Sequence, residues 1–125
     1  INEKFRYICP AATYSRTHPE ADGYYKMTTV YGMGYKDLPW GSFVAWTKPR
    51  LKRPSEKLLI SDAVDWIVKE AAWNVYQDEN TVGGQAIAPR HDGRTNVLFF
   101  DGHVETLPRT ELRANALIWH PFRNI

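Results

Sequence analysis

A chain of 125 residues, 43% hydrophobic and 14% aromatic, is long enough for one domain with a modest core and too apolar for disorder. Sixteen basic and fourteen acidic residues leave a net charge of +2, and no segment concentrates the excess as a nucleic-acid footprint requires. The densest basic stretch, Lys48, Arg50, Lys52 and Arg53, is bracketed by Pro49 and Pro54 and reads as a solvated loop.

No apolar run approaches the ~20 residues of a spanning helix, and no signal peptide is recognisable. The chain opens on Ile1 instead of methionine, so we expect a preceding segment to have been removed. Cys9, the single cysteine, has no internal disulfide partner; between Tyr7-Ile8 and Pro10 it is expected to be buried.

In chain order, Phe5–Cys9 reads as a short strand ending at Pro10. Ala11–Gly23 is loop-like, punctuated by Pro19 and Asp22-Gly23. Tyr24–Tyr31, rich in aromatic and β-branched residues, predicts a strand broken by Gly32 and Gly34. Lys36–Pro54 carries Pro39, Gly41, Pro49 and Pro54 in an irregular stretch, with Phe43–Trp46 as a short strand within it. Lys57–Ser61 predicts a buried strand ending at Asp62. Val64, Ile67, Val68, Ala71, Ala72 and Val75 then fall at helical spacing, which predicts an amphipathic helix over Ala63–Tyr76. On that helix Trp66 and Trp73 share a face and form its contact with the sheet. Asp78–Gly84 is a turn-rich loop.

The sharpest local signal is Asn96–Phe100, Asp101-Gly102, His103–Leu107: a β-hairpin with a two-residue type I′ turn. That register sets Phe100 opposite His103, Phe99 opposite Val104 and Val97 opposite Thr106. Val97, Phe99 and Val104 share one face, and Leu98, Phe100 and Leu107 the other, so the sheet is expected to be covered on both sides. A short helix over Thr110–Ala116, with Thr110 as N-cap, should come next. The expected fold is one α+β domain over residues 1–125. It would hold an antiparallel sheet of about four strands with one or two helices.

His91 is succeeded by nine residues and then Asp101-Gly102, continued by His103-Val104-Glu105. With the whole stretch Arg90–Glu105, this resembles the C-terminal signature of the prepilin-type processing-associated H-X9-DG domain family. Cys9-Pro10, Tyr31-Gly32-Met33, and Arg53-Pro54-Ser55 with Leu59-Ile60-Ser61-Asp62 resemble further elements of that family in its order. Gly34 stands where the family usually carries Asn.

The resemblance implies a precursor whose type IV prepilin leader is cut by a prepilin peptidase, and a hydrophobic N-terminal helix ahead of this chain. That helix would anchor the protein in the membrane or pack into a pseudopilus. The chain would then be an extracytoplasmic, pilin-like head at the periplasm or cell surface. It would serve, with other pilin-like subunits, as a structural subunit or accessory of a type II secretion or type IV pilus-like assembly. The matching residues Cys9, Pro10, Asp62, His91, Asp101, Gly102 and His103 read as structural. Asp101 and Gly102 form the turn, and His91 and Asp62 hold loops through buried hydrogen bonds.

Three other chemistries are open to the same residue types. Asp62, His91, Asp101 and His103 could bind zinc. Asp92-Gly93 as a turn sets His91 opposite Asn96, however, roughly 16 Å from Asp101 at ~3.3 Å per residue, so only Asp101 with His103, or His91 with Asp62, could share an ion. Calcium would need clustered oxygens; Asp78-Glu79-Asn80 is the acidic cluster, without the alternating spacing of a calcium loop. No cofactor is therefore expected. A metal-dependent hydrolase could be drawn around Ser61-Asp62 with His91 or His103. No Gly-x-Ser-x-Gly elbow or phosphate-cradling loop accompanies them, Gly83-Gly84 being too short. Trp40 and Trp46, in the irregular stretch, would form the exposed surface of the main rival, a secreted carbohydrate- or surface-binding module.

Overall fold

The computed structural model describes residues 9–12, 30–34, 51–65, 67–81, 83–114 and 116–119. Within them lie strands β1 (Tyr31–Gly34), β2 (Leu58–Asp62), β3 (Ile67–Val68), β4 (Arg94–Phe99) and β5 (Val104–Pro108), and helix α1 (Arg109–Ala114). Single 3-10 turns occupy Pro54–Glu56, Glu70–Ala72 and Ala116–Trp119. The five strands form one sheet in the order β3-β1-β2-β4-β5. It is mixed: β3 runs parallel to β1, and the other three pairs are antiparallel. The α+β expectation therefore holds in outline, with one strand more than expected and one parallel edge. The strands expected at Phe5–Cys9 and Phe43–Trp46 fall mostly or wholly outside the described residues, as does Tyr24–Thr29.

Strand β1 begins where a strand was expected to end. Gly32 and Gly34 belong to it, and they are the reason the chain can cross itself here. A Cβ on Gly32 would meet Asp65 O at 2.7 Å, Val68 Cγ1 at 2.8 Å and Ala63 Cβ at 2.9 Å. After β2, the segment Ala63–Asp65 thus passes directly over Gly32 before β3 pairs with the far side of β1. One on Gly34 would meet Leu58 Cδ2 at 2.6 Å. The glycines are contact surface.

Among the described residues of Ala63–Tyr76 there is no α-helix. The spacing of its apolar residues suits a helix, but their backbone groups bond elsewhere. Val64 N–H donates to Ala86 O (3.2 Å), and Val64 O accepts from Gly83 N–H (2.7 Å). Lys69 N–H donates to Gln85 O at 3.0 Å. Those bonds, and an isolated bridge between Ala63 and Ile87, leave no i→i−4 ladder to form. The β-branched Val64, Ile67 and Val68 favour the extended course. Burial still recurs at Val64, Val68, Ala72 and Tyr76, which is why the sequence reads as helical. Trp73 is therefore not on a helix face, and Trp66 lies outside the described residues.

The hairpin is present, one residue out of the expected register. Gly102 N–H donates to Phe99 O (3.0 Å) and Phe99 N–H to His103 O (2.9 Å), so Phe100–Gly102 is a three-residue loop. Of its Asp-Gly pair only Gly102 has positive φ, at 95°, as a turn closed by a glycine bulge requires. Leu98 consequently faces Val104, Val97 faces Glu105 and Asn96 faces Thr106. Because side chains alternate, the shift moves Val104 off the face of Val97 and Phe99 and leaves it 62% exposed. Leu107, expected on the other face, sits opposite Thr95 and packs on the core. Of the two Asp-Gly pairs flanking β4, the one with positive φ at both positions is Asp92 (56°) and Gly93 (76°), between His91 and Arg94, which exchange two backbone bonds. His91 thus opposes Arg94, not Asn96.

The inner face of the sheet carries the core: Leu58, Val68, Val97 and Phe99, closed by Ala63, Ile87, Leu112, Ile118 and Trp119. Trp119 Nε1–H donates to Leu112 O at 3.0 Å, tying the 3-10 turn to α1. That helix starts at Arg109 and ends at Ala114, so Thr110 lies within it and is not its N-cap. The outer face is different. Its cross-strand register lines up Ile67, Met33, Ile60, Leu98 and Val104, one residue from each strand. Met33 is 51% exposed, and Ile67, Ile60 and Leu98 are half-buried.

The crossing at Gly32 generates a test. Gly32→Ala should destabilise the domain by about 1–3 kcal/mol through overpacking against backbone, read as a lower urea midpoint. A loss under about 0.5 kcal/mol, the range of an ordinary surface change, would mean the crossing is looser than described.

Candidate functional site

One end of the outer face gathers residues from four parts of the chain. Asp62, the last residue of β2, is paired with Tyr31 of β1 and has its side chain on the outer face. His91, just before the Asp92-Gly93 turn, brings Nε2 to 3.2 Å from Asp62 Oδ2. Cys9 comes from the N-terminal part of the chain, and its Sγ lies 3.6 Å from the same nitrogen. Pro10 sits at the second position of a turn closed by Ala12 N–H on Cys9 O (2.9 Å), where its fixed φ is favourable. The Cys-Pro pair thereby sets the thiol in place. Cys9, Ala12 and Val30 form a small buried cluster behind it.

Asp62 is 1% exposed. Oδ2 accepts Asn96 N–H at 2.8 Å as well as facing His91, whereas Oδ1 is buried without a hydrogen-bond partner. Burial pushes this carboxyl above its ordinary range, opposed by the Asn96 N–H, His91 and Arg90. The Tyr31 hydroxyl is likewise pushed up, first by burial and then by Cys9 and Asp62. His91 remains partly open to solvent, its side chain 31% exposed. The ligand atoms of Cys9, Asp62 and His91 all lie within 4.8 Å of one another.

Both the thiol and the carboxylate meet Nε2. A nucleophilic relay needs them on opposite ring nitrogens, so that one takes the thiol proton while the other is held by the carboxylate. Ser61, the other candidate nucleophile, points to the opposite face, between Gly32 and Val97. What the arrangement can do is hold a cation or lock three chain segments together.

Arg90 supplies the lock beside it, and nothing in the sequence singles it out. Its Nε–H donates to Glu79 Oε1 (2.6 Å), its two NH2 groups to Val30 O (3.0 Å) and Ala63 O (2.8 Å). The pair is nearly dry, with side chains 2% and 18% exposed. Glu79 belongs to the acidic cluster Asp78-Glu79-Asn80; it turns inward to Arg90, while Asp78 Oδ1 accepts Asn80 N–H at 2.8 Å. Burial pushes the nearby Tyr76 hydroxyl up to about 12, with Glu79 adding to it.

Asp101 and His103 stand at the far end of β4. Asp101 Oδ1 accepts from the backbone N–H of His103 (3.1 Å) and meets its Nδ1, and Glu105 Oε2 lies 3.4 Å from Nε2. The His103 ring stacks on Phe99 with centroids 4.5 Å apart. The hydrogen bond to Asp101 raises the His103 pKa above its ordinary 6.5, and the same contacts lower that of Asp101. The structure therefore joins His91 to Asp62 and Cys9, and His103 to Asp101, as two separate groups. Trp40 and Trp46 lie outside the described residues. No family model, curated protein or solved structure matches this chain.

The geometry has two measurable consequences. Arg90→Met should cost about 3–5 kcal/mol in unfolding free energy, since it leaves Glu79 and two carbonyls without their buried cation; a loss below about 1 kcal/mol would show that water replaces it. In an NMR titration His103 should lose its proton above pH 6.5, and Asp101→Asn should lower that midpoint. Because the folded pKa is raised, this contact supports the hairpin fully below about pH 6.5 and is lost as pH rises through the folded value. An unchanged midpoint in the variant would remove Asp101 as the cause.

Proposed function

We propose that this chain is the non-enzymatic head domain of a prepilin-like protein, a structural subunit or accessory of a type II secretion or type IV pilus-like assembly outside the cytoplasmic membrane. The observation that supports this reading is the apolar row Ile67, Met33, Ile60, Leu98 and Val104 across all five strands of the outer face. An apolar, half-open sheet face is a surface that an amphipathic or hydrophobic helix covers well. Cys9, the first described residue, lies at one end of the same face, beside His91 and Asp62. In this reading a hydrophobic segment ahead of Ile1 anchors the protein in the membrane and packs against the row, and other pilin-like subunits meet it there. The H-X9-DG resemblance over Arg90–Glu105 points the same way, and a prepilin peptidase would process the precursor.

N-terminal sequencing and intact mass of the native, membrane-extracted protein test this. The expected result is a processed N-terminus and then ~20 apolar residues ahead of the present chain. A native protein that begins near Ile1, or after an ordinary secretory signal, would overturn it.

A further inference from the structure

We propose that Cys9 Sγ, Asp62 and His91 Nε2 form a zinc site, with one coordination position open toward solvent. The distances carry the first part of the case. Tetrahedral zinc with Zn–S of ~2.3 Å and Zn–N and Zn–O of ~2.0 Å holds sulfur and nitrogen about 3.5 Å apart, and nitrogen and oxygen about 3.3 Å apart. Here Sγ and Nε2 are 3.6 Å apart, and Nε2 and Asp62 Oδ2 are 3.2 Å apart. Two edges of a zinc tetrahedron are thus in place, and the three ligand atoms, from distant parts of the chain, all lie within 4.8 Å of one another.

Burial adds to this: Asp62 is 1% exposed and its Oδ1 has no hydrogen-bond partner, so its negative charge is costly to bury, and a cation held on Oδ2 offsets that cost by neutralising the carboxylate. A divalent cation bound by this carboxylate, a thiolate and a neutral imidazole gives a site of zero net charge. The neighbouring guanidinium of Arg90 is matched by Glu79, so it adds no uncompensated positive charge. Asn96 N–H on Oδ2 orients the carboxylate, the supporting contact that metal ligands usually have.

The donor set decides the ion. Sulfur, imidazole nitrogen and a single carboxylate suit zinc, whereas magnesium and calcium take oxygen ligands in larger number. The exposed edge of His91 leaves access for the ion and for a fourth ligand. Bound there, zinc would clamp the Cys9-Pro10 turn to β2 and to the start of the hairpin. This inference stands independently of the head-domain reading.

The test uses the full chain, stripped with a chelator and titrated with zinc chloride, with cobalt(II) as spectroscopic probe. The expected result is one zinc per chain, and a cobalt form showing thiolate-to-metal charge transfer with tetrahedral d–d bands. Cys9→Ser should abolish the charge-transfer band. That variant and His91→Ala should each lower zinc affinity by more than the ~10–100-fold typical of losing a supporting contact. His103→Ala, in the separate group at the other end of β4, should leave both readouts unchanged. Circular dichroism checks that the variants fold, but the decisive spectrum is that of the unaltered protein. No charge-transfer band at saturating cobalt overturns the proposal, whatever the variants do. So does zinc binding that Cys9→Ser and His91→Ala leave at full affinity.

Discussion

Asp62 occupies a position where three constraints have to be met at once. Its backbone carbonyl accepts Ala88 N–H at 2.9 Å, its carboxylate accepts Asn96 N–H at 2.8 Å, and the same oxygen faces His91. Up to Ser61, β2 is paired with β4; from Ala63 onward the chain is bridged to Ile87 instead. Asp62 is where that exchange of partners happens. A buried carboxylate is expensive to desolvate, by several kcal/mol even after relaxation, and hydrogen bonds from the newly adjacent segments offset this. A strand end with an apolar residue here would leave the Asn96 N–H to find another acceptor.

The exchange of partners matters because it frees the chain to change sides of the sheet. To reach the far side of β1 and add β3 in parallel, the chain must cross within four residues of Asp62. Such a crossing is tolerable only where backbone can approach backbone, which Gly32 allows, and only if the polar groups of both segments are bonded. Arg90 meets the second condition for both segments at once. It donates to Val30 O, next to the strand being crossed, and to Ala63 O on the segment that crosses it. A planar guanidinium with several donors suits such a task better than an ammonium would. Glu79, brought in by the loop after Tyr76, then balances the charge.

Local and long-range constraints divide what the sequence conveys from what it does not. Lys57–Asp62 and the Asp101-Gly102 hairpin are local features: alternation, a turn dipeptide, strand-forming residues on each side. They are legible, and both exist. The register is not legible, because Asp-Gly fits either a two-residue turn or the glycine end of a three-residue loop, and the two differ by one residue. The failure at Ala63–Tyr76 has another cause. Its apolar spacing meets the helical template, but the decision is made by hydrogen bonds to residues 83–87, which no local window contains. Gly32 and Gly34 read as breakers for the same reason, since their role is contact with Ala63, Asp65, Val68 and Leu58. As for the site, Cys9, Asp62 and His91 each stand out as residues, while their meeting on one nitrogen depends on a topology that no local pattern encodes. Arg90 carries no signal beyond its place beside His91.

The spacing between His91 and Asp101-Gly102 acquires a physical meaning from this fold. The nine intervening residues are the two of the Asp92-Gly93 turn, the six of β4 and the first of the hairpin loop, Phe100. Six residues of strand at ~3.3 Å each set the two ends about 20 Å apart, so the histidine and the aspartate never meet. The interval is instead a strand length measured from turn to turn. Inserting or deleting one residue within it would invert the faces of everything beyond the change. It would part His91 from Asp62 if the far hairpin were kept, or expose Val97 and Phe99 if the near turn were. The motif therefore behaves as a ruler whose two marks do separate work: His91 joins the hairpin to Asp62 and Cys9, and Asp101 with Gly102 closes the loop that returns β5 to the sheet.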